Sequence, residues 1–286
     1  MFWKTIWEAL LDTLLDGVKL LSFLFLAYLA IELLEKKMEE KSVSFVNRAG
    51  RWGPAVGGLL GILPQCGFSA AASNLFAGGV ISAGTLLAVF LSTSDEMLPI
   101  FLSQQVDPIF IGKVLLYKAA SGILVGLLAD LLLRRVFRPE KTIHEICEQE
   151  GCHCEDGVFK SALRHTLKIF VFLLAVTFVL NTAVDLVGQE RLAGFLLNKP
   201  VVGEMLSALL GLIPNCAGSV VITQLYLQGG MTVGALLSGL LVNSGVGLLV
   251  LFRMNRRHMK ENLLLLLVLY VSGVALGLLG GLLPIF

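Results

Sequence analysis

Gly58–Leu102 reads GLLGILPQCGFSAAASNLFAGGVISAGTLLAVFLSTSDEMLPIFL, and Ala208–Phe252 reads ALLGLIPNCAGSVVITQLYLQGGMTVGALLSGLLVNSGVGLLVLF. The two stretches align without a gap at an offset of 150 residues, which places Pro64 opposite Pro214 within a shared Pro-x-Cys motif. An apolar composition produces chance matches between leucines, but it does not align proline, cysteine and glycine of one stretch with the same residues of the other. We therefore expect a chain built from two similar halves.

The composition indicates a membrane protein. Hydrophobic residues make up 56% of the 286 residues, charged residues 15%, and the mean hydropathy is +0.83. A soluble protein has about 25% charged residues. Tracts that approach or exceed the roughly 20 apolar residues needed to cross a lipid bilayer lie at 18–34, 84–102, 109–133, 169–187, 233–252 and 263–283. The net charge of +1 gives no basic surface for nucleic acid.

The distribution of Lys and Arg predicts the topology. These residues collect in loops 36–52, 134–164 and 253–261, which the positive-inside rule places in the cytoplasm, with the chain in the cytoplasmic (inner) membrane. The predicted organisation is an interfacial amphipathic lead-in, a first repeat, a Cys/His-rich linker and a second repeat, at 1–16, 17–137, 138–161 and 162–286. No signal-peptide cleavage site follows the lead-in.

One membrane topology places every loop rich in Lys and Arg in the cytoplasm. In this topology each half has three spanning helices and one broken re-entrant hairpin, and the hairpins lie at 54–80 and 203–230. Because three is an odd number of crossings, the two halves have opposite orientations. The predicted fold is thus an all-α polytopic membrane protein with an inverted repeat, an architecture found in many secondary transporters.

Each re-entrant segment contains a helix-breaking sequence, Leu63–Gly67 in the first half and Ile213–Gly218 in the second. Proline lacks an amide hydrogen and clashes with the preceding turn, and glycine permits a reversal. Paired breaks in two halves indicate a substrate site. The candidate substrate-binding residues at these breaks are Gln65, Cys66, Ser69 and Asn74, with Asn215, Cys216, Ser219 and Gln224. The alternative is that these residues only cap the breaks and join helices.

A second polar segment, Ser92–Glu96, interrupts an otherwise apolar span. Carboxylates at membrane depth are costly and are usually functional, so Asp95 and Glu96 are predicted to bind a metal cation together with Cys66 and Cys216, or to exchange protons. The predicted substrate ligands also include Ser94 and, in the second half, Asn243 and Ser244. Lys118 is the predicted counter-charge for coupling. In the alternatives, the carboxylates lie near an aqueous helix end and Lys118 only snorkels.

The linker carries a dense set of thiol and imidazole groups. These are His144, Cys147, Cys152, His153 and Cys154. Such donors suit borderline or soft metals, so the loop is predicted to bind a transition metal, although no cofactor is obligatory. The spacing is not that of a standard zinc finger, and a linker with incidental cysteines is the alternative. A bound metal here favours sensing or delivery over transport.

These motifs together resemble the family of ten-helix heavy-metal exporters, which is related by name to manganese transporters and arsenic permeases. The resemblance covers nearly the whole chain and rests on Leu63–Gly67, Asn74, Ser92–Glu96, Ile213–Cys216 and the loop at 144–154. It implies ten helices, if each re-entrant segment counts as two, and efflux of a metal ion or metalloid.

The predicted function is therefore a secondary active transporter that exports a divalent heavy metal, with manganese as the first candidate, or a metalloid, coupled to protons. The alternatives are a transporter of an anion or small organic substrate held at half-helix N-termini, and a membrane metal sensor or intramembrane enzyme that uses the Cys/His loop. The sequence has no Walker loop or nucleophile elbow, so an enzyme is not expected. A monomer and a homo-oligomer are both compatible with the sequence.

Overall fold

The computed structural model describes residues 52–63, 66–94, 96–133 and 201–283, together with isolated residues at 25, 163, 167, 170, 171 and 175. Every regular element within these residues is helical, which confirms the predicted fold class at that level. The predicted lead-in at 1–16, the linker at 138–161 and the crossing at 18–34 lie outside the described residues, apart from Phe25.

The helices of the first half are α1 (Gly53–Leu60), α2 (Cys66–Ala77), α3 (Ala83–Ser92), α4 (Met97–Ser103) and α5 (Pro108–Leu133). Those of the second half are α6 (Val202–Gly211), α7 (Cys216–Leu227), α8 (Val233–Val242), α9 (Gly247–Met254) and α10 (Met259–Leu282), the last preceded by a short 3-10 turn at Arg256–His258. Adding 150 to the bounds of α2 and α3 gives the bounds of α7 and α8. The internal repeat in the sequence is therefore also a repeat of helix boundaries.

The helix breaks predicted around the two Pro-x-Cys motifs are confirmed. In the first half α1 ends at Leu60 and α2 begins at Cys66, and in the second half α6 ends at Gly211 and α7 begins at Cys216. Each break falls where proline removes a backbone donor. In both halves the cysteine is the first residue of the helix that follows.

The predicted crossings at 84–102 and 233–252 fall within the candidate membrane spans Ala83–Ser103 and Val233–Met254, but each span is interrupted. The structure divides the first into α3 and α4, with residues 93–96 between them, and the second into α8 and α9, with residues 243–246 between them. The interruptions contain Ser, Thr and Asn, whose short side chains bind backbone groups and compete with helix hydrogen bonds. The second also contains Gly245, which adopts a positive φ of 55° that favours glycine. Each half thus has two helix breaks instead of one.

Equivalent helices of the two halves have the same kind of N-cap and are followed by the same kind of glycine turn. Ser82 caps α3 by accepting from the Thr85 amide at 3.1 Å, and Thr232 caps α8 by accepting from the Ala235 amide at 3.1 Å. After α2 and α7 the chain reverses at Gly79 and Gly229, whose φ angles of 70° and 74° favour glycine.

Burial separates an inner pair of helices from an outer pair. Almost every side chain of α3 and α8 is buried, whereas α5 and α10 expose rows of large apolar side chains. The most exposed include Leu116, Leu131, Leu132 and Leu282. A continuous apolar surface of this kind suits contact with lipid.

Four helical segments are long and apolar enough to cross a membrane, which is compatible with an integral membrane protein. They are Ala83–Ser103, Pro108–Leu132, Val233–Met254 and Arg256–Leu282. The first and third contain the breaks at 93–96 and 243–246. The polar residues of these breaks therefore lie within segments that are otherwise apolar.

Candidate functional site

Lys118 is the charged residue buried deepest beside a break. Gly122 of α5 approaches the backbone of α3 so closely that an added Cβ would lie 2.7 Å from the Ala88 carbonyl oxygen. The two helices are antiparallel, so Lys118, one turn before Gly122, lies level with residues 93–96. Its side chain is 1% exposed, and its ammonium donates to the carbonyl of Leu240 in α8.

The position of Leu240 explains this contact. It is one of the last four residues of α8, and the carbonyls of a helix's last turn have no donor within the helix. The break at 243–246 ends the series of backbone hydrogen bonds of α8, so the Leu240 carbonyl needs a donor from outside the helix. The side chain of Lys118 is that donor. The predicted role of Lys118 as a counter-charge to Asp95 and Glu96 is not tested by this contact.

In each half the two breaks lie close together. The Ser94 hydroxyl donates to the Ile62 carbonyl at 2.6 Å, which joins the 93–96 break to the segment after α1. In the second half, a Cβ on Gly218 would lie 3.8 Å from the Oδ1 of Asn243. The 243–246 break therefore runs beside the first turn of α7.

The halves also contact each other through these breaks. The Ser73 hydroxyl of α2 lies 2.8 Å from the Gly247 carbonyl and 2.8 Å from the Ser69 carbonyl, and it can donate to either. A Cβ on Gly247 would lie 2.8 Å from the Cβ of Ser69, so the start of α9 packs directly on α2.

The reciprocal contact joins α4 of the first half to α7 of the second. The rings of Phe101 and Tyr226 meet edge to face with centroids 6.4 Å apart. The second helix of each half therefore packs against the helix that follows the second break of the other half: α2 packs against α9, and α7 packs against α4. We use the name junction for the region that comprises the starts of α2, α7 and α9 and the breaks at 93–96 and 243–246.

Most of the predicted polar residues are buried around the junction. In the first half these are Ser69, Asn74, Ser94 and Lys118, and in the second half Asn215, Ser219, Asn243 and Ser244. Glu96, which precedes α4, and Gln224 are half-buried. Buried hydroxyl and amide groups at this density are unusual in an apolar helical core and provide both donors and acceptors.

Several predicted ligands lie outside what the structure describes. They are Gln65, Asp95, the side chains of Cys66 and Cys216, and the loop residues His144, Cys147, Cys152, His153 and Cys154. Within residues 52–63, 66–94, 96–133 and 201–283, no group of three or more His, Cys, Asp or Glu side chains could hold a metal ion. The metal site predicted at Asp95, Glu96 and the two cysteines therefore stays a prediction.

The chain was compared with protein-family models, with curated proteins and with solved structures. No match was found in any of the three. The function of the junction is therefore inferred from its geometry and chemistry.

Two carboxylates that the sequence analysis did not single out lie at the N-termini of the inner helices. Asp130 of α5 accepts from the Ser82 hydroxyl at 2.7 Å and from the Gly84 amide at 2.8 Å, at the start of α3. A carboxylate there complements the positive end of the helix dipole.

Glu204 of α6 occupies the corresponding place at the start of α8. Its Oε1 accepts from the Thr232 hydroxyl at 3.4 Å, and its Oε2 is buried with no hydrogen-bond partner among the described residues. Asp130 and Glu204 are not at aligned positions, since Gly281 and Pro54 lie opposite them. Alignment of the two halves therefore could not reveal them, and the only signal was a carboxylate within an apolar stretch.

The junction combines two kinds of group. The first turns of α2 and α7 present backbone amides and the positive ends of helix dipoles, and the side-chain nitrogen of Lys118 donates at the end of α8. By sequence position, Asp95 and Glu96 bring negative charge to the 93–96 break. Such a region can bind a small polar or charged solute away from lipid.

Proposed function

We propose that this chain is a secondary active transporter of the cytoplasmic membrane, which exports a divalent metal cation or a metalloid in exchange for protons. The observation that carries the proposal is the paired set of helix breaks. The breaks recur in both halves and are joined across them by Ser73 with Gly247 and by Lys118 with Leu240. Broken helices whose freed backbone groups face a protein interior are a recurrent way to build a transport site.

The contacts of α1 and α3 support a re-entrant hairpin in the first half. Gly53 packs against Thr85, and Gly61 packs against Ser92, so α1 and α3 run in the same direction. Since α2 begins after α1 ends and is followed within a few residues by Ser82 at the start of α3, α2 has to run back. The chain from 53 to 82 would then enter the membrane and return to the same side.

The second half gives the same support. Glu204 of α6 lies beside Gly234 near the start of α8, and Gly211 packs against Gly239 further along. Thus α6 and α8 also run in parallel, and α7 brings the chain back to the start of α8 at Thr232.

One contact between the halves supports the inverted arrangement. The Tyr117 hydroxyl of α5 donates to the Leu276 carbonyl of α10 at 2.6 Å. The residue equivalent to Tyr117 is Val268, since Gly122 and Gly126 of α5 align with Gly273 and Gly277 of α10 at an offset of 151. Val268 lies eight positions before Leu276, about 12 Å away along a helix. If the two halves were related by a rotation about an axis along the membrane normal, equivalent residues would lie at the same depth, and Tyr117 and Leu276 would lie at different depths. A two-fold axis in the membrane plane inverts the depth of one half, so that residues at non-equivalent positions can meet.

The side chains around the 93–96 break support a cation as the substrate. Asp95 and Glu96 directly follow Ser94, which is buried, and Glu96 is half-buried before α4. Carboxylate and hydroxyl oxygens suit Mn²⁺ and similar hard or borderline ions, and a carboxylate can also carry the coupling proton. The resemblance to heavy-metal exporters agrees with this choice.

The test is transport by the full chain in proteoliposomes. We expect Mn²⁺ to move against its gradient when a pH gradient is imposed, and the flux to disappear when the pH gradient is collapsed. Zn²⁺, Co²⁺, Cd²⁺ and arsenite measured in the same way would define the selectivity. Failure of every one of these ions to move would overturn the proposal.

The buried ammonium of Lys118 favours a second candidate, an anion transporter. A positive charge at Lys118, beside the broken end of α8, would attract an anion. In that case phosphate or sulfate would move in the same liposomes, and Mn²⁺ would neither move nor bind to the purified protein. Asp95 and Glu96 would then serve proton coupling alone.

A further inference from the structure

Two pairs of equivalent hydroxyls around the junction differ in their hydrogen bonding. Ser73 and Ser94 of the first half donate to backbone carbonyls, at distances of 2.6–2.8 Å. Their equivalents in the second half are Thr223 and Ser244. These side chains are 0% and 1% exposed, and their hydroxyls have no hydrogen-bond partner among the described residues.

An unpaired buried hydroxyl is unfavourable, because it loses its bonds to water and gains none in the protein. The cost is about 1–3 kcal/mol for each group, so an unpaired group in a folded protein calls for an explanation. Ser73 and Ser94 demonstrate that this fold can satisfy hydroxyls at these positions. Three buried hydroxyls have no partner among the described residues, those of Ser207, Thr223 and Ser244, and all three belong to the second half. Of these, Thr223 and Ser244 are the ones whose first-half equivalents are hydroxyls that make hydrogen bonds.

Thr223 lies on the part of α7 that packs against α4. Three residues after it, Tyr226 contacts Phe101 of α4. Ile222, the neighbour of Thr223, belongs to one buried cluster with Met97, the first residue of α4.

Ser244 lies within the other break, between the starts of α2 and α7. The residue before it, Asn243, is beside Gly218 of α7, and Gly247 packs on Ser69 of α2. Ser244 therefore lies within the junction, and Thr223 lies on α7, about two turns beyond the start of that helix.

We propose that the hydroxyls of Thr223 and Ser244 bind the transported divalent cation, while Ser73 and Ser94 hold the junction together. This inference rests on the proposed function and specifies which side chains contact the substrate. Hydroxyl oxygens are ligands for hard and borderline cations, and the half-buried Glu96, directly before α4, would supply a charged oxygen. The substrate would therefore be held between the two halves.

The first measurement is thermal unfolding of full-length variants in detergent without metal. Thr223→Val and Ser244→Ala remove hydroxyls that make no hydrogen bond among the described residues, so the unfolding midpoints of these variants should equal or exceed that of the wild type. Ser73→Ala and Ser94→Ala each remove a bonded hydroxyl and should lower the midpoint by about 2 °C or more. Equal losses in all four variants would mean that the second-half hydroxyls are already satisfied, and would overturn the inference.

The second measurement is the KM for Mn²⁺ in proteoliposomes at matched protein content. We expect Thr223→Val and Ser244→Ala each to raise KM about tenfold, equivalent to about 1.4 kcal/mol. Thr223→Ser should restore it, and Ser103→Ala, at an exposed serine of α4, should leave it within about twofold. An unchanged KM in both second-half variants, with an active wild type, overturns this inference alone. A wild type that moves no Mn²⁺ overturns the manganese assignment together with it.

Discussion

The ammonium of Lys118 donates to the main-chain carbonyl of Leu240, so a charged side chain of the first half completes the broken end of a helix in the second. The contact is buried and lies within the membrane-length segments Pro108–Leu132 and Val233–Met254. A charge at such a position is expensive in lipid and is usually functional. Lys118 therefore links the stability of the junction to its proposed activity.

Replacing this lysine with an apolar side chain of similar length should stop transport. Lys118→Met leaves the Leu240 carbonyl buried without its donor, which costs about 1–3 kcal/mol of unfolding free energy, and loss of a buried charge offsets part of it. Flux in proteoliposomes and unfolding in detergent measure the two effects. Lys113→Met, an exposed position on the same helix, is the control and should keep wild-type flux. Full transport by Lys118→Met would remove this residue from the mechanism.

The close approach of α9 to α2 predicts a strong effect at Gly247. The Cβ of Gly247→Ala would lie 2.8 Å from the Cβ of Ser69 and 3.0 Å from its backbone carbon, so the two helices have to separate. We expect a loss of about 1–3 kcal/mol in unfolding free energy, as for other overpacked cores.

Gly112 is the matched control for this substitution, because nothing lies within 4 Å of its Cβ position. Gly112→Ala should be neutral or stabilising by up to about 1 kcal/mol, since alanine favours a helix interior. Thermal unfolding of both variants in the same detergent decides the comparison. Equal stability of Gly247→Ala and Gly112→Ala would contradict the described packing of α9 on α2.

The helix caps of the two halves should differ in strength. Ser82 both caps α3 and donates to Asp130, while Thr232 caps α8 and lies 3.4 Å from Glu204. Removing a cap costs about 1 kcal/mol, and losing a hydrogen bond to a carboxylate adds about 1.5–3 kcal/mol. Ser82→Ala should therefore lower the unfolding free energy more than Thr232→Ala. The reverse order in thermal unfolding would show that the Asp130 contact contributes little.

The Cys/His loop is predicted to be dispensable for transport. Deleting residues 143–156 removes every predicted thiol and imidazole ligand of the linker but none of the junction. Mn²⁺ flux in proteoliposomes should persist, because the proposed path does not pass through the loop. Loss of all activity at normal expression would instead favour the sensor hypothesis.

The sequence was sufficient to predict the breaks at Pro64 and Pro214, because proline and glycine act locally and recur at equal spacing. The breaks at 93–96 and 243–246 were missed, since the apolar runs on both sides suggested one continuous crossing. Their Ser, Thr, Asn and Gly residues were the available signal.

The hydrogen bonds of the junction could not be predicted in the same way. Ser73 and Thr223 look equivalent in the alignment, yet only Ser73 meets a carbonyl from the other half. That difference depends on how the halves pack, which no local pattern encodes. The sequence did indicate burial of Ser69, Ser94 and Lys118, because each lies in an apolar stretch.

The central claim is that the junction carries a proton-coupled cation across the membrane, and the most direct measurement is Mn²⁺ flux by the double variant Asp95→Asn with Glu96→Gln. This change keeps side-chain volume and removes both charges at the 93–96 break. At matched reconstitution we expect no flux driven by a pH gradient, while Asp107→Asn, an exposed carboxylate before α5, keeps wild-type flux. Wild-type flux by the double variant would contradict the account.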